Sequence, residues 1–109
     1  MKPLKIIKQE LMQVIKRKEN VEVEVKIYEY DDHYYDENDN QVPVEMLDVE
    51  IFVKANGDYL EAFVTNTYQD KERDQKEANK RSKAVLKTVK KWFEHKDILV
   101  SDEIEQYHC

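Results

Sequence analysis

The sequence predicts an α+β domain in which two helices pack on one face of a three-stranded antiparallel sheet, in the order α-β-β-β-α. Segments near both ends of the chain repeat apolar residues at helical spacing, whereas the segments between them alternate apolar and polar residues as strands do. The Asn56-Gly57 dipeptide between two alternating segments adds a strong hairpin signal. The chain has 109 residues, so we expect a single domain spanning 1–109.

The first helix is predicted to begin near Pro3 and to end near Glu19-Asn20. Its apolar side consists of residues at helical spacing, namely Leu4, Ile7, Leu11, Val14 and Ile15. From Val21 to Tyr28 the apolar period changes to two, which predicts a strand with one buried side. A second strand is predicted to resume near Val44. The intervening segment 31–40, DDHYYDENDN, is either the end of a long, twisted hairpin or a loop.

The Asn56-Gly57 turn determines how the second and third strands should pair, because a two-residue type I′ loop sets the register of its hairpin. This register predicts a buried face made of apolar cross-strand pairs: Val49 with Val64, Ile51 with Ala62, and Val53 with Leu60. The opposite face is then predicted to be open to solvent and to carry Glu50, Phe52, Glu61 and Phe63.

The second helix is predicted over 69–95 and has two contrasting sides. Its apolar side carries Ala78, Ser82, Val85, Val89 and Trp92. Its opposite side carries lysines at the same spacing: Lys76, Lys80, Lys83, Lys87 and Lys90. After this helix, Ile98-Leu99-Val100 is expected either to add an edge strand or to pack over the end of the core. Residues 98–109 are predicted to form a short acidic C-terminal tail.

The element order resembles that of the double-stranded-RNA-binding domain, in which both helices also lie on one sheet face. That family opens its last helix with a lysine-rich KKxAK run, and Gln75-Lys76-Glu77-Ala78-Asn79 stands in this place, so that Lys76 and Ala78 match. The family's GPxH loop, which reaches into an RNA minor groove, is replaced by the acidic segment 31–40, which would repel phosphate. The resemblance therefore supports the fold and argues against the family's mode of RNA binding.

Charge is distributed unevenly along a chain whose net charge is −6. Residues 20–70 carry fourteen acidic and two basic side chains, whereas the two predicted helices are rich in lysine. The only cysteine is Cys109, so no intrachain disulfide can form, and no apolar run approaches membrane-spanning length. We therefore expect a soluble, cytoplasmic protein without membrane association.

The acidic and tyrosine-rich centre of the chain predicts a binding protein rather than an enzyme. Clustered carboxylates imitate nucleic-acid phosphates, and tyrosine is enriched in the parts of interfaces that contribute most binding energy. We expect an inhibitor that docks on a basic, nucleic-acid-binding protein, in the manner of small phage antagonists of restriction or CRISPR nucleases. The predicted partner-binding residues are Tyr28, Tyr30, Asp31, Asp32, Tyr34, Tyr35, Asp36, Glu50, Phe52, Glu61 and Phe63.

Two alternatives stay open at this point. In the first, the protein is a nucleic-acid-binding module that uses the lysine side of the second helix, through Lys76, Lys80, Lys83 and Lys87. In the second, Glu24, Lys26, Asp48 and Glu50 form the carboxylate–lysine set of a weak nuclease. No metal site or cofactor is predicted, because the histidines lack ligand spacing and the Asp36-x-Asn38-x-Asn40 segment lacks the glycine of a calcium loop. The sequence predicts no particular oligomeric state.

Overall fold

The computed structural model describes residues 3–69, 75–94, 96, 98–100 and 106–108. Its helices are α1 (Leu4–Val14) and α2 (Gln75–Trp92). Its strands are β1 (Val21–Tyr35), β2 (Gln41–Ala55), β3 (Asp58–Gln69), β4 (Leu99–Val100) and β5 (Gln106–His108). The predicted α+β class with two helices is confirmed. The parts of the second helix predicted at 70–74 and at His95, and the tail residues 101–105, lie outside the described residues.

The sheet is mixed, whereas the sequence predicted a purely antiparallel sheet of three strands. The strand order is β3-β2-β1-β4, and β5 also pairs with β1. The β1–β2 and β2–β3 pairs are antiparallel, but β4 pairs with β1 in parallel at Glu22 and Val23, and β5 does so at 27–29. The edge-strand alternative for 98–100 is confirmed by β4, whereas β5 lies within the predicted tail and is too short to show an alternating pattern.

One hydrophobic core lies between the sheet and the two helices. The helix α2 packs on β1 and β2, whereas α1 packs on β3. The predicted apolar side of α2 is buried at Ala78, Ser82, Val85 and Val89, and the helix α1 contributes Ile7 and Leu11. The sheet contributes alternate residues of β1 and β2: Val21, Val23, Val25, Ile27, Leu47, Val49, Ile51, Val53 and Ala55. Both helices therefore cover the same sheet face.

The helix α1 ends earlier than the predicted limit at Glu19-Asn20. Its C-cap is Ile15, and the turn continues through a hydrogen bond in which the Lys18 amide donates to the Ile15 carbonyl. Arg17 then adopts a φ of 64°, and a right-handed helix cannot continue through a left-handed residue. Asn20, with a φ of 53°, makes a second such bend before β1 begins.

The β2–β3 register agrees with the prediction only beside the turn. Asn56 and Gly57 both have positive φ, as a type I′ turn requires, and Lys54 lies opposite Tyr59, as a two-residue loop at 56–57 demands. Beyond this pair β3 shifts by one residue at Leu60, so that Ile51 faces Phe63 instead of Ala62. A second shift follows at Thr65, whose hydroxyl donates to the Val49 carbonyl over 3.0 Å.

The first shift exchanges the two faces of β3 and corrects part of the predicted core. Phe63, predicted on the open face, is buried in the core with 7% of its surface exposed. Leu60 and Ala62, predicted to be buried, are exposed, and Val64 is half-buried. The reason is that side chains alternate with a period of two, so one extra residue at Leu60 moves the side chains from Glu61 to Val64 to the other face, until the second shift at Thr65. The predicted burial of Val49, Ile51 and Val53 on β2 is confirmed.

Candidate functional site

The most distinctive surface is the outer half of the β1–β2 hairpin, residues 31–45, which we call the acidic arm. The structure resolves the open alternative at 31–40 in favour of a long hairpin: residues 31–35 pair with 41–45 in one continuous register. This part of the ribbon is about 17 Å long, because an antiparallel strand rises about 3.4 Å per residue. Every residue from 31 to 45 is exposed or half-buried, so the arm extends beyond the core.

The acidic arm combines negative charge with exposed aromatic rings. Its acidic residues are Asp31, Asp32, Asp36, Glu37, Asp39 and Glu45, and it contains neither lysine nor arginine. Tyr34 is 55% exposed and Tyr35 is 64% exposed. The Tyr35 ring meets the His33 ring edge-on, with 5.5 Å between centroids. Five predicted binding residues, Asp31, Asp32, Tyr34, Tyr35 and Asp36, therefore lie on one projecting ribbon.

Asp36 holds the tip of the acidic arm together. Its Oδ1 accepts hydrogen bonds from the backbone amides of Asn38 and Asn40, each over 2.9 Å. Its own amide donates to the Asn40 carbonyl over 3.0 Å, and Asp39 adopts a φ of 59° within the turn. The amides of Asn40 and Asn38 stabilise the carboxylate and lower the pKa of Asp36. Asp36 therefore has a structural role in the turn, whereas the sequence suggested only a contact residue.

Replacing Asp36 with alanine is expected to unpair the arm while leaving the core folded. Alanine removes the side-chain oxygen that both turn amides use, whereas Asp36→Asn keeps an acceptor at the same position. Amide hydrogen exchange at 32–44 should accelerate in Asp36→Ala and change little in Asp36→Asn. Because the pKa of Asp36 is lowered, its contribution is present above the ordinary carboxyl pKa and is lost as the pH falls through the folded-state pKa. Unchanged exchange in the alanine variant would contradict this role.

A second candidate surface is the sheet face that the helices leave uncovered, which we call the open face. Among its side chains, Lys26 and Asp48 are 6% exposed, although the sequence predicted this face to be open to solvent. Neighbouring side chains cover Lys26: its Nζ lies 3.1 Å from Glu24 Oε2 and donates to the Tyr59 hydroxyl over 3.2 Å. A charge at this depth requires such partners, because burying it alone costs several kcal/mol.

The open face also contains two groups of aromatic rings. Phe52 and Tyr59 meet at 5.8 Å between centroids and at 72°, an edge-to-face arrangement. Tyr28 and Tyr30 are neighbours on the same side of β1, and their ring centroids lie 5.7 Å apart. The aromatic side chains expected on this face from β1 and β2 are therefore in place, and Tyr59 joins them from β3.

Two carboxyl groups of the open face, those of Asp48 and Glu50, have raised pKa values. Burial and then the charge of Asp48 raise the pKa of Glu50 to about 7. Burial also raises the pKa of Asp48, against hydrogen bonds from Thr67 and Tyr30 that lower it. The Tyr30 hydroxyl lies 3.4 Å from Asp48 Oδ1, and burial together with that carboxylate raises the pKa of Tyr30 to about 12. This face therefore holds negative charge that water solvates poorly.

Two of the predicted binding residues do not belong to this surface. Phe63 is buried against the helices, and Glu61 lies opposite Val53, on the side of the sheet that faces the core. Both differences follow from the shift at Leu60. Sequence reasoning left Lys26 and Tyr59 out of the binding set, although the alternation of β1 and the pairing of Tyr59 with Lys54 both pointed to this face.

The lysine side of α2 is a separate surface. Lys76, Lys80, Lys83 and Lys87 are all exposed, as the helical period predicted. The neighbouring Arg81 is half-buried and donates from Nε to Asn66 Oδ1 over 2.7 Å. Arg81 thus joins α2 to β3 and is already engaged within the fold.

Within the described part of the chain, no three His, Cys, Asp or Glu side chains are grouped in a way that suits a metal ion. Across those same residues, no helix is both long and apolar enough to cross a membrane. No protein-family model, curated protein or solved structure matches this chain.

Proposed function

We propose that the protein is a small non-catalytic binding protein that docks its acidic arm on a basic, nucleic-acid-binding protein and occludes the nucleic-acid site. The arm carries this proposal, because it is a projecting ribbon with six carboxylates, no lysine or arginine, and two largely exposed tyrosines. We place its action in the cytoplasm, in the manner of phage antagonists of restriction or CRISPR nucleases.

The carboxylates of the arm supply steering rather than most of the affinity. Exposed charges act over about one Debye length, and they mainly raise the association rate with a partner of opposite sign. The paired strands hold Asp31, Asp32 and Glu45, and the Asp36 turn, which also carries Glu37 and Asp39, holds the two strands together at the tip. A charge array held in this way presents the repeated negative charge that a nucleic-acid-binding cleft recognises.

The tyrosines of the arm supply the anchors. Tyr34 and Tyr35 follow one another on β1 and therefore point to opposite sides of the ribbon, so that either side can contribute a ring to an interface. A tyrosine contributes large contact area for little loss of conformational entropy, and its removal mainly speeds dissociation. The two side-chain types of the arm thus affect different rate constants, which makes the proposal testable.

The test uses the whole chain as bait in three forms. The first is the unmodified protein, and the second carries Asp31→Lys with Glu37→Lys, which reverses two of the six negative charges of the arm while sparing the turn-forming Asp36. The third carries Lys76→Glu, Lys80→Glu and Lys83→Glu and serves as the matched control on the lysine side of α2. We expect the first and third baits to capture the same basic protein and the second to lose it.

Kinetics with the captured protein then separate steering from anchoring. Raising the salt concentration, or reversing the arm charges, should slow association by about tenfold or more. Tyr34→Ala and Tyr35→Ala should instead speed dissociation, with smaller effects on association. The proposal is wrong if arm reversal leaves both rates unchanged. It is also wrong if the chain binds duplex RNA or DNA at submicromolar affinity and loses that binding with the three lysines, an outcome that would establish the nucleic-acid-binding alternative.

A further inference from the structure

A small cleft in the open face carries an inference that concerns the same partner. Its volume is about 180 Å³, and its lining consists of Lys26, Tyr28, Phe52 and Tyr59. Three of these four side chains are aromatic. Pockets for drug-sized molecules enclose roughly 300–1,000 Å³, so this cleft suits a single side chain rather than a larger ligand.

The rings of the cleft already contact cations of the chain itself. Lys26 Nζ lies 5.5 Å from the centroid of Phe52 and 5.6 Å from that of Tyr59. Lys54 Nζ lies 5.1 Å from the centroid of Tyr59. All three distances fall within the range of about 6 Å over which an aromatic ring attracts a cation. The rings are therefore arranged as acceptors for positive charge.

The charges around the cleft also favour a cation. Two ammonium groups, Lys26 and Lys54, stand against four carboxyl groups on the same face of the two central strands: Glu22, Glu24, Asp48 and Glu50. The ammonium groups are engaged, since Lys26 pairs with Glu24 and Lys54 lies 3.6 Å from Glu22 and 3.9 Å from Glu24. The residues of β3 that lie opposite β2 on this face, namely Tyr59, Ala62, Val64 and Thr67, add no charge. The net charge is therefore negative when the carboxyl groups are ionised.

We infer that this cleft receives an arginine side chain from the basic protein partner. A guanidinium group is planar and weakly hydrated, so it stacks on an aromatic face while its N–H groups donate to carboxylates at the edge. Glu50 pairs with Lys26 in the register of the two central strands and lies two positions from Phe52 on β2, so we assign it the role of accepting such a bond. A lysine ammonium is more strongly hydrated and cannot stack, and a phosphate-bearing ligand would be repelled by the surplus carboxylates.

The identity of the occupant can be tested with small probes added to the folded protein. The main probe is N-acetylarginine amide, and its matched control is N-acetylcitrulline amide, which has nearly the same shape without the charge. In NMR titrations, the arginine probe should shift the Tyr28, Phe52 and Tyr59 ring signals and bind about tenfold more tightly than citrulline. Equal binding of the two probes, or tighter binding of adenosine monophosphate, would overturn the inference.

Two substitutions test the walls and the edge of the cleft. Phe52→Leu keeps an apolar side chain but removes the ring, and it should weaken arginine binding about fivefold. The control Tyr35→Leu removes an exposed ring from the acidic arm and should leave binding of the probe unchanged. Glu50→Gln should weaken binding and abolish its increase between pH 6 and 8, because burial and the charge of Asp48 raise the pKa of Glu50 to about 7. Equal effects of Phe52→Leu and Tyr35→Leu would contradict the assignment.

This inference rests on the proposed function for the nature of the partner. The cleft assignment and the arm proposal can nevertheless be disproved separately. The probes require no partner protein, and the arm variant Asp31→Lys with Glu37→Lys should bind them as the unmodified chain does. If the probes bind but arm reversal does not affect the partner, the arm proposal is wrong and the cleft assignment stands. If the arm controls association but the cleft does not distinguish arginine from citrulline, the cleft assignment is wrong.

Discussion

Replacing Phe63 with alanine is expected to lower the free energy of unfolding by about 3–5 kcal/mol, the usual cost of emptying a buried aromatic position. Phe63 is 7% exposed and lies opposite Ile51, which is fully buried. Removing the ring therefore leaves a cavity in the hydrophobic core, on the sheet face that the helices cover. Urea denaturation at constant pH measures this change directly, with an unchanged slope indicating that only the folded state is affected.

The matched control is Leu60→Ala, three positions earlier on the same strand. Leu60 is 36% exposed, so its truncation should cost less than about 1 kcal/mol. The regular register predicted from the Asn56-Gly57 turn requires the opposite order, because it buries Leu60 and exposes Phe63. A larger loss at Leu60 than at Phe63 would therefore contradict the shift at Leu60 and favour the regular hairpin.

Replacing Glu50 with glutamine is expected to stabilise the protein at pH 8 by about 1–2 kcal/mol. Burial and the charge of Asp48 raise the pKa of Glu50 from 4.5 to about 7. At about 1.4 kcal/mol per unit of pKa, a shift of this size means that ionised Glu50 destabilises the folded state by about 3 kcal/mol. Glu50 is only half-buried, and solvent screening reduces this value, which leads to the smaller figure.

The pH dependence has a definite sign. Because the folded-state pKa is the higher one, the folded protein binds more protons than the unfolded chain between about pH 4.5 and 7. The stabilising contribution of protonated Glu50 is therefore present at low pH and is lost as the pH rises through this range. Asp48 adds a change in the same direction, since its pKa is also raised. Lys26 and Tyr30 on β1, and Thr67 on β3, are the other polar groups nearby.

Denaturation curves at pH 4 and pH 8 separate this effect from the rest of the titration. The glutamine variant should match the unmodified protein within about 0.5 kcal/mol at pH 4 and exceed it at pH 8. Glu61→Gln, at an exposed position of β3, is the control and should show no such pH-dependent difference. A glutamine variant that is less stable at pH 8 would mean that ionised Glu50 has a favourable partner in the fold.

The periodic parts of the chain could be predicted because each follows from a local rule. Local periodicity predicts which residues of α1, α2 and β1 are buried, because the helical and extended backbones repeat with different periods. The Asn56-Gly57 turn likewise predicts its own conformation, because both residues tolerate positive φ. The exposed lysines of α2 follow from the same helical period as its buried side.

The candidate site was only partly predictable for a related reason. The acidic and aromatic residues of the arm are evident from composition, but the choice between hairpin and loop depends on amides of Asn38 and Asn40 that reach Asp36. The cleft depends on three strands at once, because Tyr59 reaches Lys26 across β2. No local pattern contains information about a contact between residues so far apart in the chain.

The sequence by itself determined the order of the long elements, the face of each helix that is buried, and the concentration of acid between them. Only the tertiary structure decided the register of β3 beyond Tyr59, because apolar residues occur on both sides of this strand. Leu60, Ala62 and Val64 lie at the even-numbered positions, and Phe63 lies at an odd-numbered one. The alternating pattern alone favours Leu60, Ala62 and Val64, which is the register that the fold does not use. The choice follows from packing: with the shift at Leu60, the large ring of Phe63 enters the core opposite Ile51, and the smaller Ala62 remains outside.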